Sequence, residues 1–168
     1  MTHINWVDCT LDRHGEAILA IFNHAIEHTT ALFDLKPRTE LDMAQWFAIK
    51  ESKNWPVVGI EDDSGQLLAF ASYGAFRAHG AYAQTLEHSV YVHPAHQGKG
   101  LGRAVLQRVI DRAWQQGVHV LVGVIESGNS ASIGLHRQLG FSHAGTLREV
   151  GRKFDRWLDI DLYQLRCP

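Results

Sequence analysis

The sequence predicts an α/β domain whose mixed central sheet of about seven strands is flanked by about four helices. Three observations predict it. Short apolar, β-branched runs alternate with longer segments whose apolar residues recur at helical spacing. Turn-forming residues separate them, as at Asp62-Asp63-Ser64-Gly65, Gly117 and Gly140. A strand–helix–strand unit runs from Leu86 to Ile125, and such a unit is expected to be parallel and right-handed.

In chain order, Ile4 to Cys9 reads as a short strand. Asp12 offers an N-cap to a helix carrying Ala17, Ile18, Ile21, Phe22, Ala25 and Ile26 on one stripe. A polar loop from Thr29 to Pro37 leads to a second helix over Leu41 to Lys53. Pro56 to Glu61 and Gln66 to Ala75 form a strand pair, with hairpin turn chemistry between them. Phe76 to Thr85 has no period and is a loop, whereas Leu86 to Val92 is β-branched and aromatic, and Pro94 ends it. Gly100 to Gln116 is a helix with Leu101, Val105, Val109, Arg112 and Ala113 on one stripe, stopped by Gly117. Val118 to Ile125 is almost purely apolar, as expected of a central strand covered on both faces. Asn129 caps a helix to Leu139, and Phe141 to Val150 and Trp157 to Arg166 close the sheet.

Bulk properties narrow the function classes. The 168 residues suit one domain over positions 1–168 with a core that needs no staples. Hydrophobic residues are 45% and charged residues 20%, the balance of a globular protein. The net charge of -2 gives no basic field for nucleic acid, and acidic residues interrupt the local cluster from Arg148 to Arg156. No run is long and apolar enough to span a membrane, and Trp6, Asp8 and Asp12 break any leader-like stretch. Cys9 and Cys167 are expected as free thiols, so the expected location is cytoplasmic. His93-Pro94-Ala95-His96 pairs two histidines, but the proline excludes a regular helix and no further ligands stand at zinc spacing, so no metal is expected.

The segment Gln97-Gly98-Lys99-Gly100-Leu101-Gly102 carries the chemistry. It lies between a strand and a long helix. Glycines there let backbone N–H groups crowd around a phosphate, and the helix adds its positive end. The same glycines would serve a strand-to-helix turn that needs them for geometry alone. The third glycine is one position early for a dinucleotide fingerprint, and a P-loop would need Gly-Lys-Ser/Thr after a four-residue gap.

This pattern resembles motif A of the GNAT acetyltransferases. The resemblance runs from Glu87-His88-Ser89-Val90-Tyr91-Val92-His93-Pro94 into Gly102-Arg103-Ala104, then through Asn129-Ser130-Ala131-Ser132 and Leu135 to Phe141. Phe22-Asn23-His24, Thr29-Thr30-Ala31, Glu126 to Ile133 and Val150 to Asp159 further resemble the phosphinothricin and methionine sulfoximine acetyltransferases. The resemblance implies direct, ternary-complex transfer from acetyl-CoA to the α-amino group of a small amino acid or analogue: phosphinothricin, methionine sulfoximine or methionine sulfone. It implies a homodimer, with the apolar strands after Phe141 offering a sheet edge.

Residue roles follow from the same resemblance. Gln97, Gly98, Lys99, Gly100, Leu101, Gly102 and Arg103 are expected at the cofactor's phosphates, and Val90, Tyr91, Val92 and Asn129 along its pantetheine arm. A backbone N–H near Val92, at a bulge in its strand, would stabilise the oxyanion. Glu87 is the expected base, directly or through water. His136 stands where many relatives place a tyrosine acid; as imidazolium it would protonate a thiolate, or it merely contacts the cofactor. Arg77 would bind the substrate carboxylate with its fork. Phe33, Tyr73, Phe76 and Tyr91 could wall the pocket, and His88 joins the substrate residues, although strand alternation puts it on the face opposite Glu87. Two other readings stay open: a peptide N-acetyltransferase with an open groove along Thr29–Arg38 and Phe76–Thr85, and a CoA-binding module without catalysis.

Overall fold

The computed structural model describes residues 4–168. The elements follow the predicted order: β1 (Asn5–Asp8), α1 (Leu11–His28), α2 (Glu40–Ser52), β2 (Val57–Glu61), β3 (Leu67–Ala75), β4 (Thr85–Val92), α3 (Leu101–Gln115), β5 (Val120–Glu126), α4 (Ser130–Gln138), β6 (Ser142–Lys153) and β7 (Arg156–Arg166). Seven strands form one sheet in the order β1-β2-β3-β4-β5-β7-β6. Only the β4–β5 pair is parallel, as the strand–helix–strand reading requires.

Alternation along the strands divides the core into two layers. Ala69, Ala71 and Tyr73 of β3 face α3, where Val105, Leu106, Val109 and Ala113 are fully covered. Phe70 faces the other way, against Phe22 of α1 and beside Met43 and Phe47 of α2. Burying one such aromatic stabilises the fold by about 1.5–3 kcal/mol.

Local chemistry sets the element ends. α1 starts at Leu11, not after an Asp12 cap, because Thr10 takes the N-cap position and its own N–H donates to His14 Nδ1 at 3.0 Å. His14 Nε2 therefore carries the ring proton and faces Glu61 Oε1 at 2.9 Å. α2 opens on a capping box between Thr39 and Asp42. β6 runs three residues beyond Val150, to Lys153, because Phe154 and Asp155, both at positive φ, close a tight hairpin into β7. Three residues from Arg148 to Val150 face Asp159 alone, and Glu149 N–H bonds the Asp159 carboxylate at 2.7 Å.

β5 departs from the expectation of a strand covered on both faces. Its pairing with β4 stops at Glu87–Val122, while its pairing with β7 continues to Glu126–Ile160. β4 and β5 therefore splay apart, and Val124 is exposed in the gap. Cys9 and Cys167 are unpaired, and no helix among the described residues is long and apolar enough to cross a membrane.

Candidate active site

The splay between β4 and β5 opens a cavity of about 440 Å³. β4 lines it from Glu87 to Tyr91, β5 from Gly123 to Glu126, the α1–α2 loop through Ala31, Leu32 and Phe33, and α4 through Asn129, Ser132 and His136. Val150 and Ile160 of the last two strands complete it.

No bulge interrupts β4, contrary to the sequence expectation. Its ladder with β3 is continuous from Ala69–Val92 to Ala75–Leu86. The free backbone groups arise from the splay instead. His93 N–H donates to Leu68 O on β3 at 2.8 Å. Alternation then turns the backbone N–H and C=O of Val90 and Val92 away from β3, into the gap. That edge can receive an extended ligand as a strand would, and its fixed N–H groups suit a developing oxyanion.

Glu87 stands where the gap begins, opposite Val122 on one side and Gly74 on the other. Burial of its carboxylate raises its pKa above the ordinary value, and the Lys50 ammonium offsets part of that rise. A carboxylate so tuned retains a proton to higher pH and is a better base once it ionises.

His88 points to the opposite face and meets His136, Nε2 to Nε2 at 2.8 Å. The tautomers follow from the partners. His136 Nδ1 lies 2.7 Å from Ser132 O, a carbonyl that only accepts, so Nδ1 carries the proton. Neutral His136 then accepts at Nε2, and His88 Nε2–H is the donor. His88 Nδ1 is left as a buried lone pair without a partner. Burial, reinforced by His136, pushes the His88 pKa down to about 3. Burial also lowers that of His136, against the raising effect of the Ser132 carbonyl. An imidazolium at His136, the form that would protonate a thiolate, is thus disfavoured here. A Cβ on Gly123 would stand 3.1 Å from both His136 Nε2 and His88 Cε1, so β5 needs glycine there to pass over the ring pair.

Beyond the cavity, Gly98 and Gly100 adopt positive φ, 74° and 78°, and a Cβ built on either meets nothing within 4 Å. The turn is open above its backbone. Gly100 caps α3, whose first turn closes with Ala104 N–H donating to Gly100 O, so the preceding N–H groups point outward at the helix's positive end. A Gly102 Cβ would lie 3.4 Å from Val92, which sets the turn directly against the end of β4. This arrangement fits a pyrophosphate. Gln97, Lys99 and Arg103 are exposed around it, whereas Leu101 is buried and offers only backbone. Asn129 caps α4 through Ser132 N–H at 3.2 Å and lines the cavity as well.

The structure does not bring every predicted residue to the cavity. Tyr73 is in the α3 layer, 1% exposed, with its hydroxyl on Gln116. Alternation along β3 turns its ring toward α3, the face opposite Phe70. Phe76 packs on Tyr82 in the following loop, and Arg77 is exposed with its guanidinium over the same Tyr82 ring. Both lie past the end of β3 and outside the lining. Phe33 lines the cavity, and so does Tyr91, whose ring packs on Phe22 and Phe70.

Sequence reasoning missed Glu126, Gly123 and two buried lysines. Lys153 Nζ donates to Thr29 O at 2.8 Å and Leu32 O at 2.7 Å, tying the β6–β7 hairpin to the α1–α2 loop. Lys50 Nζ donates to Tyr73 O at 2.7 Å between the Trp46 and Trp55 rings. Two local signals were available: a lone glycine inside an apolar strand, at Gly123, and the place of Glu126 at the head of the Glu126–Ile133 segment that carries the resemblance. The lysines carried none, because their partners are backbone carbonyls far away in the chain.

Comparison with known proteins shows the family. Residues 18–141 match the model of the acetyltransferase (GNAT) family. An L-methionine sulfoximine/L-methionine sulfone acetyltransferase of Pseudomonas aeruginosa is 47% identical over 148 residues, 88% of this chain and 86% of that protein. A phosphinothricin N-acetyltransferase of Alcaligenes faecalis is 40% identical over 88% of this chain and 75% of its own length. Among solved structures, an acetyltransferase of Salmonella typhimurium with its cofactor acetyl-CoA superposes with a TM-score of 0.94 at 41% identity, covering 98% of this chain and 94% of that one.

Proposed function

The chain belongs to the GNAT acetyltransferase family, and from that premise we propose that it transfers the acetyl group of acetyl-CoA to the α-amino group of methionine sulfoximine, methionine sulfone or a similar small amino acid. One observation carries the reading. A carboxylate with a raised pKa, Glu87, stands at the apex of the β4–β5 gap, and the phosphate-fitting turn of α3 abuts the far end of the same strand.

In this reading Glu87 takes the ammonium proton, directly or through one water. The amine nitrogen then attacks the thioester carbonyl. The N–H of Val92, with that of Val90 nearby, holds the oxygen as it gains charge. Collapse breaks the carbon–sulfur bond; the second proton lost by the nitrogen passes to the departing thiolate, directly or through water, leaving the amide and the free coenzyme A thiol. No acyl-enzyme is required, and neither cysteine lines the cavity. The neutral His88–His136 pair shapes the wall beside the reacting groups. The Gln97–Gly102 turn holds the pyrophosphate through backbone N–H groups, and Asn129 contacts the pantetheine arm.

The Lys153 tether speaks against a peptide substrate, because it holds the β6–β7 hairpin to the α1–α2 loop, the segment an open peptide groove would use. A second copy is proposed to cover edge strand β6 and its hairpin, where Leu147 and Val150 of β6, Phe154 of the turn and Trp157 of β7 are exposed. Two unpaired cysteines suit a cytoplasmic location. The test is a thiol-release assay with acetyl-CoA across a panel of free amino acids, methionine sulfone, methionine sulfoximine, phosphinothricin and a short peptide. Turnover is expected on the free amino acids and analogues. Preference for the peptide by a wide margin would refute the substrate class, and tight acetyl-CoA binding without any turnover would favour a non-catalytic module.

A further inference from the structure

The cavity is acidic in a way the transfer reaction does not require. Among its lining residues are two carboxylates, Glu87 and Glu126, and neither lysine nor arginine. Glu87 is accounted for as the base. Glu126 is not.

Glu126 is the last residue of β5, paired with Ile160 of β7. Thr30 Oγ1 donates to its Oε2 at 3.2 Å. A Cβ on Gly128 would stand 3.1 Å from both carboxylate oxygens, so glycine there keeps the carboxylate's place open. Thr30 directly precedes the Ala31–Phe33 wall, so the carboxylate belongs to the α1–α2 side of the cavity. The coenzyme turn of α3 lies elsewhere, at the end of β4. One donor cannot saturate a carboxylate, which retains lone pairs for the ligand. The two buried ammonium groups stay charged but do not line the cavity: Lys153 is held by Thr29 O and Leu32 O, and Lys50 by Tyr73 O.

We propose that Glu126 is a charge filter on the amino-acid side chain. It admits neutral polar side chains, such as a sulfone or a sulfoximine, and disfavours anionic ones, such as the phosphinate of phosphinothricin. The inference rests on the acetyltransferase reading above and chooses among the substrates that reading leaves together. A carboxylate facing an anion a few ångströms away in a half-wet cleft is worth about tenfold in discrimination.

The experiment measures kcat/KM for phosphinothricin and for methionine sulfone with saturating acetyl-CoA, in the wild type, Glu126→Gln, Glu126→Asp and Thr30→Val. The ratio of phosphinothricin to sulfone should rise about tenfold in Glu126→Gln. It should stay near the wild-type value in Glu126→Asp, which keeps the charge, and in Thr30→Val, which removes only the contact. Added salt should raise the ratio in the wild type and move that of Glu126→Gln, which keeps only the Glu87 carboxylate, clearly less. A ratio that stays within about twofold in Glu126→Gln and does not respond to salt in the wild type would overturn the proposal. So would a Thr30→Val ratio as large as that of Glu126→Gln, which would assign the effect to packing. If the wild type turns over neither compound, the functional reading itself fails. Turnover with an unmoved ratio removes the filter alone.

Discussion

Replacing Lys153 with methionine tests whether the β6–β7 hairpin holds the substrate wall. The side chain is 5% exposed and its ammonium donates to two loop carbonyls, at 2.8 Å to Thr29 and 2.7 Å to Leu32. Charged hydrogen bonds contribute about 1.5–3 kcal/mol each. Burial of the ammonium, visible in its lowered pKa, returns part of that, and Asp34 offsets some of the lowering. Methionine keeps the length of the chain but orphans both carbonyls, so the net loss should be about 2 kcal/mol. In a chain of this size that lowers Tm by roughly 4–8 °C. The Ala31–Phe33 wall should loosen with it, so KM for the amino acid should rise while the acetyl-CoA Kd holds. Thermal melting and steady-state kinetics read both quantities. A Tm within about 1 °C of wild type, with KM unchanged, would refute the reasoning.

Two further outcomes follow from buried groups. Gly123→Ala places a methyl 3.1 Å from both rings of the His88–His136 pair, so it should cost about 1–3 kcal/mol in a thermal melt and lower kcat by parting the rings. Lys50 has its pKa pushed down from 10.5 to about 8, chiefly by burial, then by Arg38, with Glu87 opposing. Between about pH 8 and 10.5 the unfolded chain therefore binds the extra proton, and stability contributed at this site rises with pH across that window. Lys50→Met should abolish that rise, which urea midpoints at the two ends of the window would detect; an identical slope in both proteins would contradict the assignment.

The order of elements was legible because each strand and helix carries its period locally, and because Gly65, Gly117 and Gly140 mark turns that do adopt positive φ. Element ends were less so. Asp12 looks like a cap, but the side chain that completes the α1 start is His14, whose partner Glu61 is distant in sequence. The open glycine turn proposed for the coenzyme was visible for the same local reason: strand end, glycine turn and helix start are contiguous. The proposed substrate side is assembled from the α1–α2 loop, the end of β5 and the last hairpin, which no spacing connects. Arg77 and Tyr73 were attractive by residue type and proximity to β4, yet one lies past the end of its strand and the other faces the wrong layer. Glu126, Lys153 and the His88–His136 contact depend on folds of the chain that only the structure brings together.

The central claim is that Glu87 is the base at the apex of the strand gap, and the pH profile of kcat/KM tests it most directly. The wild type should lose activity as pH falls, along an acidic limb centred above the ordinary value of 4.5, since burial raises this carboxyl's pKa. Glu87→Gln should reduce kcat/KM by roughly 10²–10⁴-fold and erase that limb while still binding acetyl-CoA. A variant that keeps the limb, with kcat/KM within about tenfold of wild type, would contradict the account.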